Sequence, residues 1–196
     1  MNKVHTGSRI LKAQDGKSCH LGSTGVRFMI DGNDSSSRFS LVEHPMEPRA
    51  LAAPLHRHRN EDEYSFVIEG RIGADLGGEI VFGDRGDLIF KPRNQWHTFW
   101  NAGDEPARIL EIISPAGFER YFVELASCEP PFDPEKVLAL AARYDVELDF
   151  GSISHLIKEH GVTFPGADEA ESEPRLMAHA PIPETMRGSI RRRSKG

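Results

Sequence analysis

Three histidines and a glutamate sit in two short, punctuated stretches, and this pairing restricts the chain to folds that bring strand-borne side chains to one point. The first stretch runs His56-Arg57-His58, four residues, Glu63, six residues, Gly70. The second runs Gly86, five residues, Pro92, four residues, His97, three residues, Asn101. Residues i and i+2 of a strand face the same way, so His56 and His58 aim two imidazoles at one spot. Glu63 opens the next strand and shares a face with Ser65 and Val67. His97 has to face the pair across an interior, an arrangement natural to a small closed barrel whose inward residues converge. Three imidazoles and one carboxylate are a donor set for a divalent transition metal, which makes His56, His58, Glu63 and His97 the candidate ligands.

The rest of the chain supports a strand-built body. Val26–Ile30, Phe39–His44, Tyr64–Glu69, Ile72–Leu76, Glu79–Phe82, Asp87–Phe90, His97–Trp100 and Arg108–Ile113 are β-rich runs. The turn signals between them recur at the spacing of an all-β sandwich or barrel. Gly77-Gly78 marks a two-residue hairpin. The period then changes. Ser114-Pro115 reads as a helix start ahead of Phe118, Tyr121, Phe122 and Leu125. Asp133-Pro134 starts a second helix with Val137, Leu138, Ala141 and Tyr144 as its buried stripe. A third helix is expected over Ser152 to His160, stopped by Gly161. This divides the chain into an N-terminal arm (1–24), a barrel (25–115), a helical appendage (116–164) and a tail without apolar periodicity (165–196), expected to be disordered.

Composition excludes several classes. The formal charge is −6, and five cations but no acid fall within residues 187–196, so the body is more acidic than the total suggests. A nucleic-acid partner is therefore not expected. No run of 18 apolar residues occurs, and Met1-Asn2-Lys3 is not followed by an apolar leader segment, so a membrane partner is not expected either. Cys19 and Cys128 form neither a disulfide framework nor a zinc cluster, and reduced thiols fit a cytoplasmic protein.

The two stretches resemble the paired motifs of the cupin superfamily, the first carrying His-x-His, Glu and Gly and the second Gly, Pro-x-Gly, His and Asn. The chain supplies His56, His58, Glu63 and Gly70 for the first and Gly86, Pro92, His97 and Asn101 for the second, with a compact interval of 15 residues (71–85). Ala50 or Leu51 stands at the first motif's leading Gly, and Asn94 replaces the Gly of Pro-x-Gly; Asn tolerates the left-handed backbone that Gly would supply. The resemblance covers about residues 25–115. It implies a mostly β fold, a small antiparallel jelly-roll barrel followed by C-terminal helices. It also implies that His56, His58, Glu63 and His97 ligate the metal, and that the chain is similar to quercetin dioxygenase-like single-domain members.

Three neutral imidazoles and one carboxylate leave a divalent ion with net charge near +1, and six-coordination would keep two positions free. Fe, Mn, Ni, Cu or Zn would suit the donors. The expected function is a metal-dependent dioxygenase or other oxidoreductase acting on a small-molecule substrate, with Glu63 serving as ligand and general base. The alternatives are a non-catalytic metabolite-binding module and a metal-assisted isomerase or lyase. Phe99 shares the face of His97 and is a candidate pocket residue, while Trp96 and Trp100 face the other way, toward the C-terminal helices. Glu111, an acid inside the apolar strand Ile109–Ile113, is a candidate partner for a ligating His. Arg93 and Gln95 are expected in solvent, and His44 is expected to cap a turn before Pro45. Open strand edges, together with the arm and helices, lead to an expected homodimer.

Overall fold

The computed structural model describes residues 7–128 and 132–167. Eleven strands form two antiparallel sheets. Six strands make the first: β1 (Ser18–Leu21), β2 (Thr24–Ile30), β3 (Ser40–Met46), β5 (Asp62–Glu69), β8 (Leu88–Lys91) and β10 (Ala107–Ser114), in the order β1-β2-β3-β10-β5-β8. Five make the second: β4 (Leu55–His58), β6 (Arg71–Leu76), β7 (Glu79–Asp84), β9 (His97–Asn101) and β11 (Val146–Asp149), in the order β11-β4-β9-β6-β7. The helices are α1 (Gly32–Ser35), α2 (Glu119–Leu125), α3 (Pro134–Ala142) and α4 (Ser152–His160).

Met46, Val67, Ile89 and Ile109 of the first sheet pack with Ile72, Ala74 and Phe99 of the second as one core, the jelly-roll arrangement. The expected closed ring is not found: among the described residues no hydrogen-bonded ladder joins the two sheets. The chain changes sheet at turns instead. Gly70, with φ +80°, takes it from β5 to β6, where a Cβ would meet that of Ala107 at 2.7 Å. Gly77 and Gly78, both at positive φ, close the β6–β7 hairpin with Leu76 opposite Glu79. The N-terminal arm contributes β1, paired with β2.

The helical part departs from expectation in three places. Ser114 is the last residue of β10, its hydroxyl donating to the Arg38 carbonyl at 3.0 Å, and α2 starts only at Glu119. Sheet pairing to Asp62 thus holds Ser114 extended, and the helix begins one turn later. On α3 the buried residues are Val137, Leu140 and Ala141, whereas Leu138 is 42% exposed, one residue around the helix from the packed stripe. Between α3 and α4 the chain forms β11, where the sequence suggested only a link. The expected third helix spans Ser152–His160, with Gly161 as its left-handed cap at φ 62°.

Helix α4 covers the outer face of the second sheet. Leu156 and Val162 pack with Leu51 and Trp100, and the Trp100 indole stacks on His160 at 4.2 Å. This is the helix-facing role expected for Trp100. Its ring lies over Gly73 of the neighbouring strand, where an added Cβ would stand 2.3 Å from Cε2. Trp96 instead lies under the Arg57 guanidinium, 5.0 Å away. The expected disordered tail falls almost wholly outside the described residues.

Candidate metal centre

Strand alternation delivers the four donors. His56 and His58 are the two inward residues of β4, and β9 runs beside it with His97 directly opposite His56. All three histidines therefore belong to the five-stranded sheet, and Glu63 of β5 faces them from the six-stranded sheet. The sequence predicts that His97 crosses the interior; the change of sheet between β4 and β5 gives that role to Glu63. One ligand atom from each of His56, His58, Glu63 and His97 lies within 4.8 Å of every other, and all four side chains are buried.

The tautomers favour a cation between these atoms. His56 Nδ1–H donates to the Pro54 carbonyl at 2.8 Å, and His97 Nδ1–H donates to the Gln95 carbonyl at 3.0 Å. Assigned from these bonds, both rings turn an Nε2 lone pair inward. Burial pushes the His56 pKa well below its ordinary value, and burial also pushes that of His97 down, so both rings are neutral. His97 Nε2 nevertheless stands 3.2 Å from Glu63 Oε2, and His58 Nε2 stands 3.4 Å from Glu63 Oε1. His58 Nε2 is buried with no hydrogen-bond partner among the described residues. Lone pairs facing a carboxylate repel unless a positive centre lies between them. Two donors about 2.1 Å from one ion and at right angles to each other stand about 3 Å apart, so these separations fit adjacent ligands. The residues therefore suit a divalent metal, held by the three Nε2 atoms and the Glu63 carboxylate.

Further groups surround the donors. Glu61 is buried, with Oε2 3.5 Å from His58 Nδ1, close but without a hydrogen bond between them. Asn94 adopts the left-handed conformation at φ 66°, as expected for the residue replacing a motif glycine, and its N–H donates to the His58 carbonyl at 2.7 Å.

The group that sequence reading missed is Lys91. It pairs with Glu63 across β5 and β8, is fully buried, and places Nζ 2.9 Å from Glu63 Oε2 and 3.0 Å from Glu111 Oε1. The ammonium also sits 4.4 Å from the centre of the Phe99 ring. A signal was present: Ile89 and Lys91 alternate inward while Leu88 and Phe90 alternate outward, so Lys91 belongs to the interior face. Glu111, expected to orient a histidine, contacts Lys91 and accepts from the Ser65 hydroxyl at 2.9 Å instead. One cation thus serves two buried carboxylates, and they titrate apart. Burial raises the Glu63 carboxyl, but the Lys91 ammonium overcomes it and holds the group well below the usual carboxylate range. For Glu111 burial prevails, reinforced by the Glu63 charge, and its pKa rises to about 7 despite Lys91. Burial would lower the Lys91 ammonium, but Glu111 and Glu63 outweigh it and raise its pKa.

A cavity of about 1000 Å³ opens from the metal ligands. His56, Glu63, Phe99 and Glu111 line its inner end, and Phe118, Tyr121 and Phe122 from the α2 region line its apolar walls. Phe99 lies two residues along β9 from His97. Arg93 lies outside, its guanidinium paired to Asp62 at 2.7 Å. His44 is no turn cap: it lies within β3, is 4% exposed and lines the cavity. No helix among the described residues is long and apolar enough to cross a membrane.

Comparison with known proteins agrees with this geometry. Residues 43–113 match the family described as the cupin domain. The tetracenomycin polyketide synthase protein TcmJ of Streptomyces glaucescens is 38% identical over 60 residues, 31% of this chain and 40% of that protein. A gentisate 1,2-dioxygenase of Streptomyces sp is 37% identical over 65 residues, 33% of this chain and 18% of that protein. The chain therefore matches well under half the length of these curated relatives. Among solved structures, KdgF from Halomonas sp. superposes with a TM-score of 0.52 at 16% identity, over 59% of this chain and 99% of that one, a likeness of fold. With its paired motifs, two-sheet jelly roll and inward-facing histidines and glutamate, the chain carries a cupin domain over residues 43–113.

Proposed function

We propose that the protein is a metal-dependent enzyme acting on a hydroxylated small molecule, with oxygenation as the leading chemistry. The carrying observation is that a buried three-histidine, one-glutamate cluster forms the inner end of a large apolar cavity. When bound, a divalent metal supplies Lewis acidity and free coordination positions for a substrate oxygen. The protein supplies the remainder. His56, His58 and His97 present imidazole donors, and the Pro54 and Gln95 carbonyls fix the orientation of His56 and His97. Glu63, held ionised, is placed to take a proton from a substrate hydroxyl, and Lys91 steadies its outer oxygen. The aromatic walls exclude water and receive a flat, apolar body. The gentisate dioxygenase relative supports this reading.

A non-oxidative reading, metal-assisted isomerisation or cyclisation, is favoured by a different observation: the cavity is roomy enough for a polycyclic skeleton, and one relative is named as a polyketide synthase protein. Both readings need the same ligands, and oxygen separates them. The test is elemental analysis of protein purified without a metal-affinity column, followed by oxygen-electrode screening with Fe(II), Mn(II) and Ni(II) against catechols, enols and polycyclic phenols. Oxygen uptake that depends on substrate and is lost in His97→Ala supports the oxygenase. Anaerobic turnover supports the second reading. Protein that holds no stoichiometric transition metal after loading would refute both.

A further inference from the structure

Among the described residues, His44 is the one cavity-lining histidine outside the ligand set. It sits on β3 opposite Ile109 of β10, one inward position along from the Val42–Glu111 pair. Its Nδ1–H donates to the Gly25 carbonyl of β2 at 3.0 Å. That bond fixes the ring and its tautomer, leaving Nε2, on the far side of the imidazole, as the only remaining acceptor. Among the described residues nothing bonds to Nε2. Phe99 and Phe122 flank the ring, with centroids 6.3 and 5.4 Å away and the latter edge-on. The cavity that His44 lines is the space in which a partner can reach this free nitrogen.

The charge state narrows the choice of partner. Burial pushes the His44 pKa down to about 4, so the ring is a neutral acceptor at physiological pH. A neutral lone pair accepts from O–H, opposes a carboxylate and gives no attraction to a phosphate. The surrounding aromatic walls favour a planar apolar body.

We propose that His44 is a second recognition point in the cavity, its Nε2 accepting a hydrogen bond from a phenolic or enolic hydroxyl of an uncharged, planar aromatic substrate. This rests on the proposed function for the metal end of the cavity, but His44 is not a ligand and its role is separable from metal binding. In that role it selects substrates by their hydroxyl pattern and sets which end approaches Glu63. It is a specificity-determining residue.

The test uses the full chain, with zinc and after chelation, and a pair of probes of matched shape: 2-hydroxyanthraquinone and its 2-methoxy ether, measured by equilibrium dialysis at about pH 6. The wild-type protein is expected to bind the hydroxy probe about tenfold more tightly, the order of effect when a buried acceptor is left unpaired. His44→Phe should bring the two probes within about twofold, and His44→Gln, which restores an acceptor, should recover part of the preference. Metal content should stay at the wild-type level in both variants, and the preference should survive chelation. An equal preference in His44→Phe, no preference in the wild type, or binding of neither probe would overturn the proposal. Failure of the metal reading shows separately, as wild-type protein without stoichiometric metal.

Discussion

Replacing Glu111 with Gln tests the charge arrangement behind the metal centre. In the apoprotein Glu111 is a buried carboxyl with a pKa near 7, against 4.5 for an ordinary glutamate. Between those values the native state retains a proton that the unfolded chain has released. Because the native state binds more protons there, stability falls as pH rises, at about 1.4 kcal/mol per pH unit. Over this window of about 2.5 units the loss is about 3 kcal/mol, fully present above pH 7 and absent below pH 4.5. Gln cannot ionise and keeps a carbonyl oxygen for Lys91, so Glu111→Gln removes this slope while Lys91 retains Glu63. The assay is urea denaturation of chelated wild-type and variant protein at half-unit steps from pH 4.5 to 8. The stability of wild type minus that of Glu111→Gln should fall by about 3 kcal/mol across the window and then level off. All other titrating groups are common to both proteins and cancel in the difference. A flat difference, or one that rises with pH, would show that Lys91 holds both carboxylates ionised and that the reasoning about their unequal titration is wrong.

His97→Ala and His56→Ala are each expected to lose stoichiometric metal while circular dichroism keeps its β signature; full metal occupancy in either variant would refute the ligand assignment. Metal added to apoprotein at about 100 times its dissociation constant should raise the unfolding free energy by about 2.7 kcal/mol, and a thermal-shift series without a concentration-dependent rise would count against the site. Gly73→Ala should destabilise by about 1–3 kcal/mol, since its methyl collides with the buried Trp100 indole, and a wild-type urea midpoint would contradict that packing. We propose a homodimer formed through the outer face of the first sheet, where Phe66, Leu88 and Phe90 are 42%, 58% and 46% exposed on adjoining strands. Light scattering should return about twice 21.9 kDa, and the double change Phe66→Glu, Phe90→Glu should halve the mass; a monomeric wild type would refute it.

What the sequence revealed and concealed follows from the range of each interaction. Strands, the Gly77-Gly78 hairpin and the Gly161 cap are set by neighbours a few residues apart, so periodicity and turn chemistry showed them. The four clustered residues were legible because metal ligation demands particular side chains at fixed strand positions. Which sheet holds each ligand was not, since strand order depends on pairings far apart in sequence. The same limit hid β11, a four-residue strand between helices with no alternation long enough to read. Lys91 and His44 were passed over for another reason. A lysine suggests solvent and a histidine before proline suggests a turn, and only partners on other strands make either group stable in the interior. Ser114-Pro115 misled through local chemistry: its serine and proline fit a helix start, but pairing within the sheet took precedence.

The pairing of β11 with β4 has a mechanical consequence. Val146 lies opposite His58 and Leu148 opposite His56, so the backbone that aims two of the metal's imidazoles is clamped by a segment contributed from beyond α3. The Arg57–Glu147 and Arg59–Glu147 ion pairs fasten the same two strands from outside. Whatever bends or releases the chain between α3 and α4 will tilt the histidine strand as well, so trimming the protein back to its motif-bearing core would leave the donors without the splint that aligns them.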